Sequence, residues 1–170
     1  MSVVPASWIF DDDGTIPNSR LPVLIYDDVA EAHQADACEQ LFARNGWFGA
    51  WRNGIYPFHH FHSTAHEVLG IVAGSATVML GGPQGRELRV GCGQVLVLPA
   101  GTGHRNLGGD EQLLVVGAYP DGMDWDLRRG KPAEHDEVRG NIAQVPLPRI
   151  DPVTGTKEPL STVWANSAMN

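Results

Sequence analysis

Four histidines and one glutamate fall inside Gly54 to Gly74, GIYPFHHFHSTAHEVLGIVAG, a stretch of 21 residues bounded by glycines. His60 and His62 stand two apart, so on an extended chain both side chains leave the same face. Glu67 follows after Ser63-Thr64-Ala65-His66, a span short and polar enough to hold a turn. An antiparallel partner strand then brings its carboxylate back beside the two imidazoles. A third imidazole, His104, lies in a second glycine-framed stretch, Gly93 to His104. Three imidazoles and a carboxylate form a donor set for one divalent metal ion, with one or two positions left open for water or substrate. Mixed N and O donors suit Fe, Mn, Ni, Co or Zn, and the sequence does not choose among them.

The neighbouring histidines compete for this role. His62 and His66 suggest a different pairing, but on a strand His66 points opposite to Glu67, which assigns it to the outer face or a loop. His59 faces outward by the same alternation, towards the N-terminal segment or a second subunit. Tyr56 and Phe58 share the parity of His60 and His62, and Asn106 lies close to His104. These three are the candidate substrate contacts, with barrel packing as their other reading. No second carboxylate or strong base presents itself as a general acid or base.

The elements that must position these groups are short strands. With 170 residues the chain is expected to form one domain with a substantial core. Its 20 glycines and 12 prolines indicate many turns. Ala76 to Leu80, Glu87 to Val90, Val95 to Leu98 and Leu113 to Tyr119 read as strands punctuated by glycine turns, as does Pro22 to Tyr26 nearer the start. Strands this short and regularly spaced indicate an antiparallel sandwich or barrel, with its core over about 50–120. An apolar stripe of helical period predicts a helix over about 28–44, stopped by Asn45-Gly46. Trp47-Phe48-Gly49-Ala50-Trp51 reads as an aromatic plug between that helix and the barrel. Residues from about 121 to 165 read as an extended, proline-stiffened tail with one short helix near 136–144. Its apolar residues require burial against the barrel or a partner subunit, and only about the last five residues are expected to be free.

A formal charge of −8 repels polyanions, so nucleic acid is not an expected partner. The start of the chain lacks the basic and apolar regions of a secretory signal, and no apolar run is long enough to span a bilayer, so no membrane partner is expected. Cys38 and Cys92 have no CxxC neighbour and read as reduced thiols of a cytoplasmic protein.

The two glycine-framed stretches resemble the paired motifs of the cupin superfamily. Gly54, His60, His62, Glu67 and Gly74 fit the first, G-x5-H-x-H-x4-E-x6-G, at every position. Gly93, Pro99, Gly101 and His104 fit the second, G-x5-P-x-G-x2-H-x3-N. Gly108 stands where that motif ends in asparagine, and Gln94 where an aspartate is common; neither departure removes a ligand. The flanks FARNGW, WRNGIYPFHH, VVGAYP and VPLPRIDP are similar to small, uncharacterised single-domain bacterial cupins, a likeness that covers most of the chain.

The resemblance implies an all-β double-stranded β-helix, a cupin jelly-roll barrel with one N-terminal helix and a wrapping tail, whose mouth holds the metal on His60, His62, Glu67 and His104. It implies a metal-dependent protein acting on a small polar molecule, as a dioxygenase or as an isomerase or lyase. The alternative is a non-catalytic module that binds a metal and a small ligand. Thiol-oxidising cupins typically lack the glutamate, so Glu67 counts against that chemistry. Small cupins often pair through sheet edges, so a homodimer is expected.

Overall fold

The computed structural model describes residues 3–168. Nine strands form two antiparallel sheets: β1 (Ala6–Trp8), β2 (Val23–Tyr26), β3 (Trp47–Asn53), β4 (Glu67–Ala73), β5 (Ser75–Leu80), β6 (Arg86–Gly91), β7 (Val95–Leu98), β8 (His104–Gly109) and β9 (Leu114–Pro120). The larger sheet has the order β1-β2-β7-β4-β9-β3 and the smaller β6-β5-β8. The expected jelly-roll barrel is therefore present. β4 belongs to the large sheet and β5 to the small one, joined only through Gly74, so the chain changes sheets at that glycine.

Alternation along the central strands feeds two apolar layers. Leu69 and Ile71 of β4 point between the sheets and meet Val78 and Leu80 of β5, Leu96 and Leu98 of β7, and Val115 of β9. Val68, Val72, Val95, Val97, Val116 and Ala118 face the other way, towards a helical layer. With both faces covered, VLIY in β2 and VLVL in β7 are buried at every position, which is why they read as continuous apolar runs. Each such side chain contributes roughly 1.5–3 kcal/mol by leaving water. β5 alternates buried with half-buried residues because only one face of the small sheet is covered.

The helical layer comprises α1 (Ala35–Arg44) and α3 (Leu160–Ala168), with α2 (His135–Gln144) elsewhere in the C-terminal segment. Cys38, Leu41 and Phe42 of α1 and Leu160 and Trp164 of α3 join the outer apolar layer. α1 packs so closely on β4 that a Cβ at Gly70 would run into the Cys38 sulfur and lie 3.2 Å from the Phe42 ring. The helix expected over 28–44 is shorter than its apolar stripe. Ala30–His33 forms a 3-10 turn, and Gln34 is extended, its side chain accepting a hydrogen bond from the Ala37 N–H at 2.9 Å. Backbone bonds from Val29 N to Gly93 O (2.8 Å) and from Gly93 N to Ala32 O (3.0 Å) tie that turn to the barrel. Trp47 to Trp51 forms part of an edge strand, with Trp47 buried and Phe48 exposed.

The tail wraps the barrel as expected, but it is not extended throughout. α3 was not anticipated; Leu160 and Trp164, four residues apart, place one face on the sheet, and Trp164 Nε1 donates to Pro22 O at 3.0 Å. Asp151 anchors the approach: it is fully buried, accepts the Tyr26 hydroxyl, and receives the Val153 and Thr154 N–H groups at 2.8 and 3.0 Å. The expected free end overlaps α3, which runs to Ala168; its final positions, 169–170, lie outside the described residues.

Candidate metal centre

Glu67 begins β4, His104 begins β8, and His60 and His62 lie on the segment that precedes β4. That segment forms no regular strand. It is held by isolated bridges, His60 to His104 and Phe61 to Arg128. The two backbone bonds between His60 and His104 measure 3.2 and 2.9 Å. Local alternation still holds: His60 and His62 face the cavity, while Phe61 packs with Ile16 and Val138.

His62, Glu67 and His104 each offer a donor atom, and these atoms lie within 4.8 Å of one another. Glu67 Oε1 stands 3.4 Å from His62 Nε2 and 3.5 Å from His104 Nε2. His60 lines the same cavity, its ring centroid 4.0 Å from that of His104 and 6.1 Å from that of His62, but it stands outside the tight group of three. In all three histidines Nδ1 meets a backbone carbonyl: Phe58 O at 2.9 Å for His60, Asp126 O at 2.5 Å for His62 and Thr102 O at 3.0 Å for His104. A carbonyl only accepts, so each Nδ1 carries a proton and, in the neutral imidazole, each Nε2 keeps its lone pair for the interior.

Burial works against charge on Glu67, but the facing imidazoles, His62 first and then His104, outweigh it and hold the carboxyl below its usual range. Burial also opposes charge on His62, yet the Glu67 carboxylate raises that imidazole above its ordinary value. His60 is pushed down to about 3, first by burial and then by His104, so it is neutral. A carboxylate with no cation but neighbouring imidazoles is thus enclosed at the barrel mouth.

The donor set fits a divalent ion. With bonds of about 2.1 Å, two ligands of one ion at right or tetrahedral angles stand about 3.0–3.4 Å apart. The two Nε2–Oε1 separations of 3.4 and 3.5 Å approach that range and exceed a good N–H···O bond. The free Nε2 lone pairs and the buried carboxylate complete the match.

Several supporting residues escaped sequence reasoning. The Asp126 carboxylate accepts Ser63 N at 2.6 Å, Ser63 Oγ at 2.5 Å and Arg128 Nε at 2.8 Å, while its carbonyl orients His62. Tyr119 lines the cavity and accepts a hydrogen bond from Trp51 Nε1 at 2.8 Å. Its phenol is held far above the ordinary range, first by burial and then by Glu67. Gly117 makes room for this arrangement, since a Cβ there would strike the Trp51 indole. Trp125 lies 5.9 Å from Tyr119 in a stacked pair and meets the His62 ring edge-on at 5.2 Å. The sequence signals were the aromatic residues of β3 and the Trp125-Asp126 pair beyond β9.

The cavity has a volume of about 390 Å³. Tyr56 lines it, whereas Phe58 stacks on Tyr56 at 4.9 Å and carries Arg129 on its ring, without lining the cavity itself. Asn106 is not on the cavity wall either; its side chain accepts the Gly108 N–H at 2.8 Å and closes a local turn. His66 points away from the metal group as alternation requires, but that side is neither exposed nor a free loop. It is buried against Trp164, accepts Ala100 N at 2.9 Å and meets Pro146 O at 3.2 Å, and burial pushes it down to about 4. His59 is half-buried near Asp13 and Arg105, with its Nδ1 unpartnered.

A jelly-roll barrel with three histidines and a glutamate at its mouth defines a cupin. No family model matches the chain. The uncharacterized protein YjlB of Bacillus subtilis (strain 168) is 37% identical over 159 residues, which cover 93% of this chain and 95% of that protein. The chain belongs to the family of YjlB and has the cupin jelly-roll fold.

Among solved structures, an acireductone dioxygenase from Bacillus anthracis with cadmium in its active centre is similar at 18% identity and a TM-score of 0.39, over 54% of this chain and 62% of that one. A DUF861 family protein from Thermotoga maritima is similar at 17% identity and a TM-score of 0.39, over 56% and 96% of the two chains. Oxalate decarboxylase of Bacillus subtilis, with Mn(II) centres, is similar at 21% identity and a TM-score of 0.37, over 65% of this chain and 28% of that one. These likenesses are partial, and the ions and activities belong to those proteins.

Proposed function

We propose that the protein is a metal-dependent cupin enzyme, a dioxygenase or an isomerase or lyase, acting on a small molecule. His62, Glu67 and His104, joined by His60, hold one divalent ion of the Fe, Mn, Ni, Co or Zn type. The convergence of His62, Glu67 and His104 within 4.8 Å at the wall of an open cavity carries this reading. When bound, such an ion supplies a Lewis acid or a site for oxygen chemistry.

The chain's own groups do the rest. Each Nδ1–H to carbonyl bond holds an imidazole in its ligating tautomer. Tyr119 stays protonated and, with Trp51 donating to its oxygen, keeps its own proton to give to a hydrogen bond. Tyr56 offers the cavity an aromatic face, and Phe58 supports it from behind.

Protein purified without added metal should contain close to one ion per chain, and His62→Ala or Glu67→Ala should lose the ion while keeping the fold. A site that stays empty after loading with each metal would refute the reading. Oxygen uptake and product analysis across small acids, sugars and diketones then separate oxygenase from isomerase or lyase. Ligand-dependent thermal shifts without turnover under any metal would instead support a binding module.

No helix among the described residues is long and apolar enough to cross a membrane. A cytoplasmic homodimer completes the proposal. The short edge strand β1 is flanked by exposed Val3, Val4 and Ile9, which a second copy would cover. A monomeric mass by light scattering would remove the dimer.

A further inference from the structure

On the strength of the metal reading above, we infer that the molecule bound here carries an aromatic or similarly flat apolar body attached to a metal-chelating head, rather than a compact polar or polyanionic skeleton. The cavity wall beside the metal group is built from Trp51, Tyr56, Tyr119 and Trp125, with Ile55 and Leu69 adding aliphatic surface. Two of these aromatic residues stand at the rim: Tyr56 and Trp125 are each 47% exposed, although both are large apolar side chains. Neither is idle packing, because each already meets a histidine of the site edge-on, Tyr56 with His60 at 5.2 Å and Trp125 with His62 at 5.2 Å. Their remaining faces are open to the cavity and to solvent, a costly arrangement that a flat ligand would cover.

Charge points the same way. Arg52 is the cationic residue on the cavity wall, and its guanidinium is taken by Asp36 at 2.5 Å and Glu39 at 2.6 Å. It is neutralised from outside and is not free to receive a ligand carboxylate. A dianionic ligand would add charge beside Glu67 with only the ion to offset it. A ligand with one chelating head and an apolar ring meets the ion with the former and the aromatic wall with the latter.

A pair of hydroxamates isolates this preference, because acetohydroxamate and benzohydroxamate share the chelating group and differ in the ring. On protein reconstituted with Ni(II), calorimetry should show benzohydroxamate binding about ten-fold or more tightly than acetohydroxamate. Trp125→Ala should remove most of that difference, and Tyr56→Ala should act in the same direction. Both residues are half exposed at the rim, so these variants keep the core. Equal affinities for the two hydroxamates, a ratio unchanged in both variants, or tighter binding of malonate than of benzohydroxamate would overturn the inference and leave the metal site standing. Failure to take up Ni(II), with neither hydroxamate bound, would overturn the metal reading and this inference together.

Discussion

Removing the Asp126 carboxylate should uncouple the metal site from the barrel. In Asp126→Ala, Ser63, which is fully buried, loses the acceptors of its N–H and of its hydroxyl proton at 2.6 and 2.5 Å. Asn141 Nδ2 still donates to Ser63 Oγ at 3.1 Å, so the hydroxyl keeps one partner. Arg128 keeps Glu134 and Glu137 and adds little to the cost. One orphaned buried N–H and one lost bond to a charged acceptor come to about 3 kcal/mol of stability. The same change loosens the loop whose carbonyl orients His62 Nδ1, and metal affinity should fall about 10- to 100-fold. Chemical denaturation of the metal-free variant reads the first quantity, and competitive titration with a chelator of known affinity reads the second. Thr64→Ala removes only the bond to Asp124 O at 3.0 Å at an exposed position and should leave metal affinity nearly unchanged. If Asp126→Ala loses stability while holding metal within about two-fold of the wild type, then Asp126 is a structural tether and does not position His62.

Metal affinity should weaken as pH falls through the His62 value, which lies above 6.5, because the ion must displace that proton; titrations between pH 5 and 8 check the slope. In the metal-free protein the raised His62 contributes stability that is full below 6.5 and lost as pH rises through its higher folded value. The depressed Glu67 contributes stability present above 4.5 and lost as pH falls through its lower folded value. The depressed His60 and His66 lose stability in the same direction as pH falls below 6.5, so acid melting curves should fall progressively below that pH. Gly70→Ala should cost about 1–3 kcal/mol through its collision with Cys38 and Phe42, and Cys38→Ala should recover part of that loss in the double variant. Trp164→Ala should cost about 3–5 kcal/mol in urea melts and expose the C-terminal segment to protease. A thiol reagent should titrate Cys92 alone in the native protein and both thiols after denaturation, since Cys38 is buried with its thiol pushed up to about 12.

Strands β2, β4 to β7 and β9 were legible because each combines an apolar pattern with glycine punctuation, and both signals are local, whereas β3 read as an aromatic plug and β1 and β8 carry too little apolar pattern to mark a strand. The candidate metal group was likewise proposed from local signals: alternation places His60 and His62 together, and the spacing to Glu67 and His104 matches a motif that demands those types. The N-terminal helix was overread because its apolar stripe continues through Ala30, while Gly93, distant in sequence, ties the first turn to the barrel. α3 was missed because Leu160 and Trp164 are too few to mark a helix until a sheet face is there to receive them.

By itself, then, the sequence determined which side chains are candidates for the chemistry and on which side of the chain each leaves. Local spacing is enough for that, since side-chain direction follows backbone period. Only the tertiary structure decided what surrounds them. Asp126, Tyr119, Trp51 and Trp125 come from β3, β9 and the loop beyond, and no local pattern records that they meet at the barrel mouth. It also decided that His66, set aside as an outer-face residue, is sealed under α3. Alternation fixes direction relative to a neighbour, whereas burial depends on what the rest of the chain lays against that face.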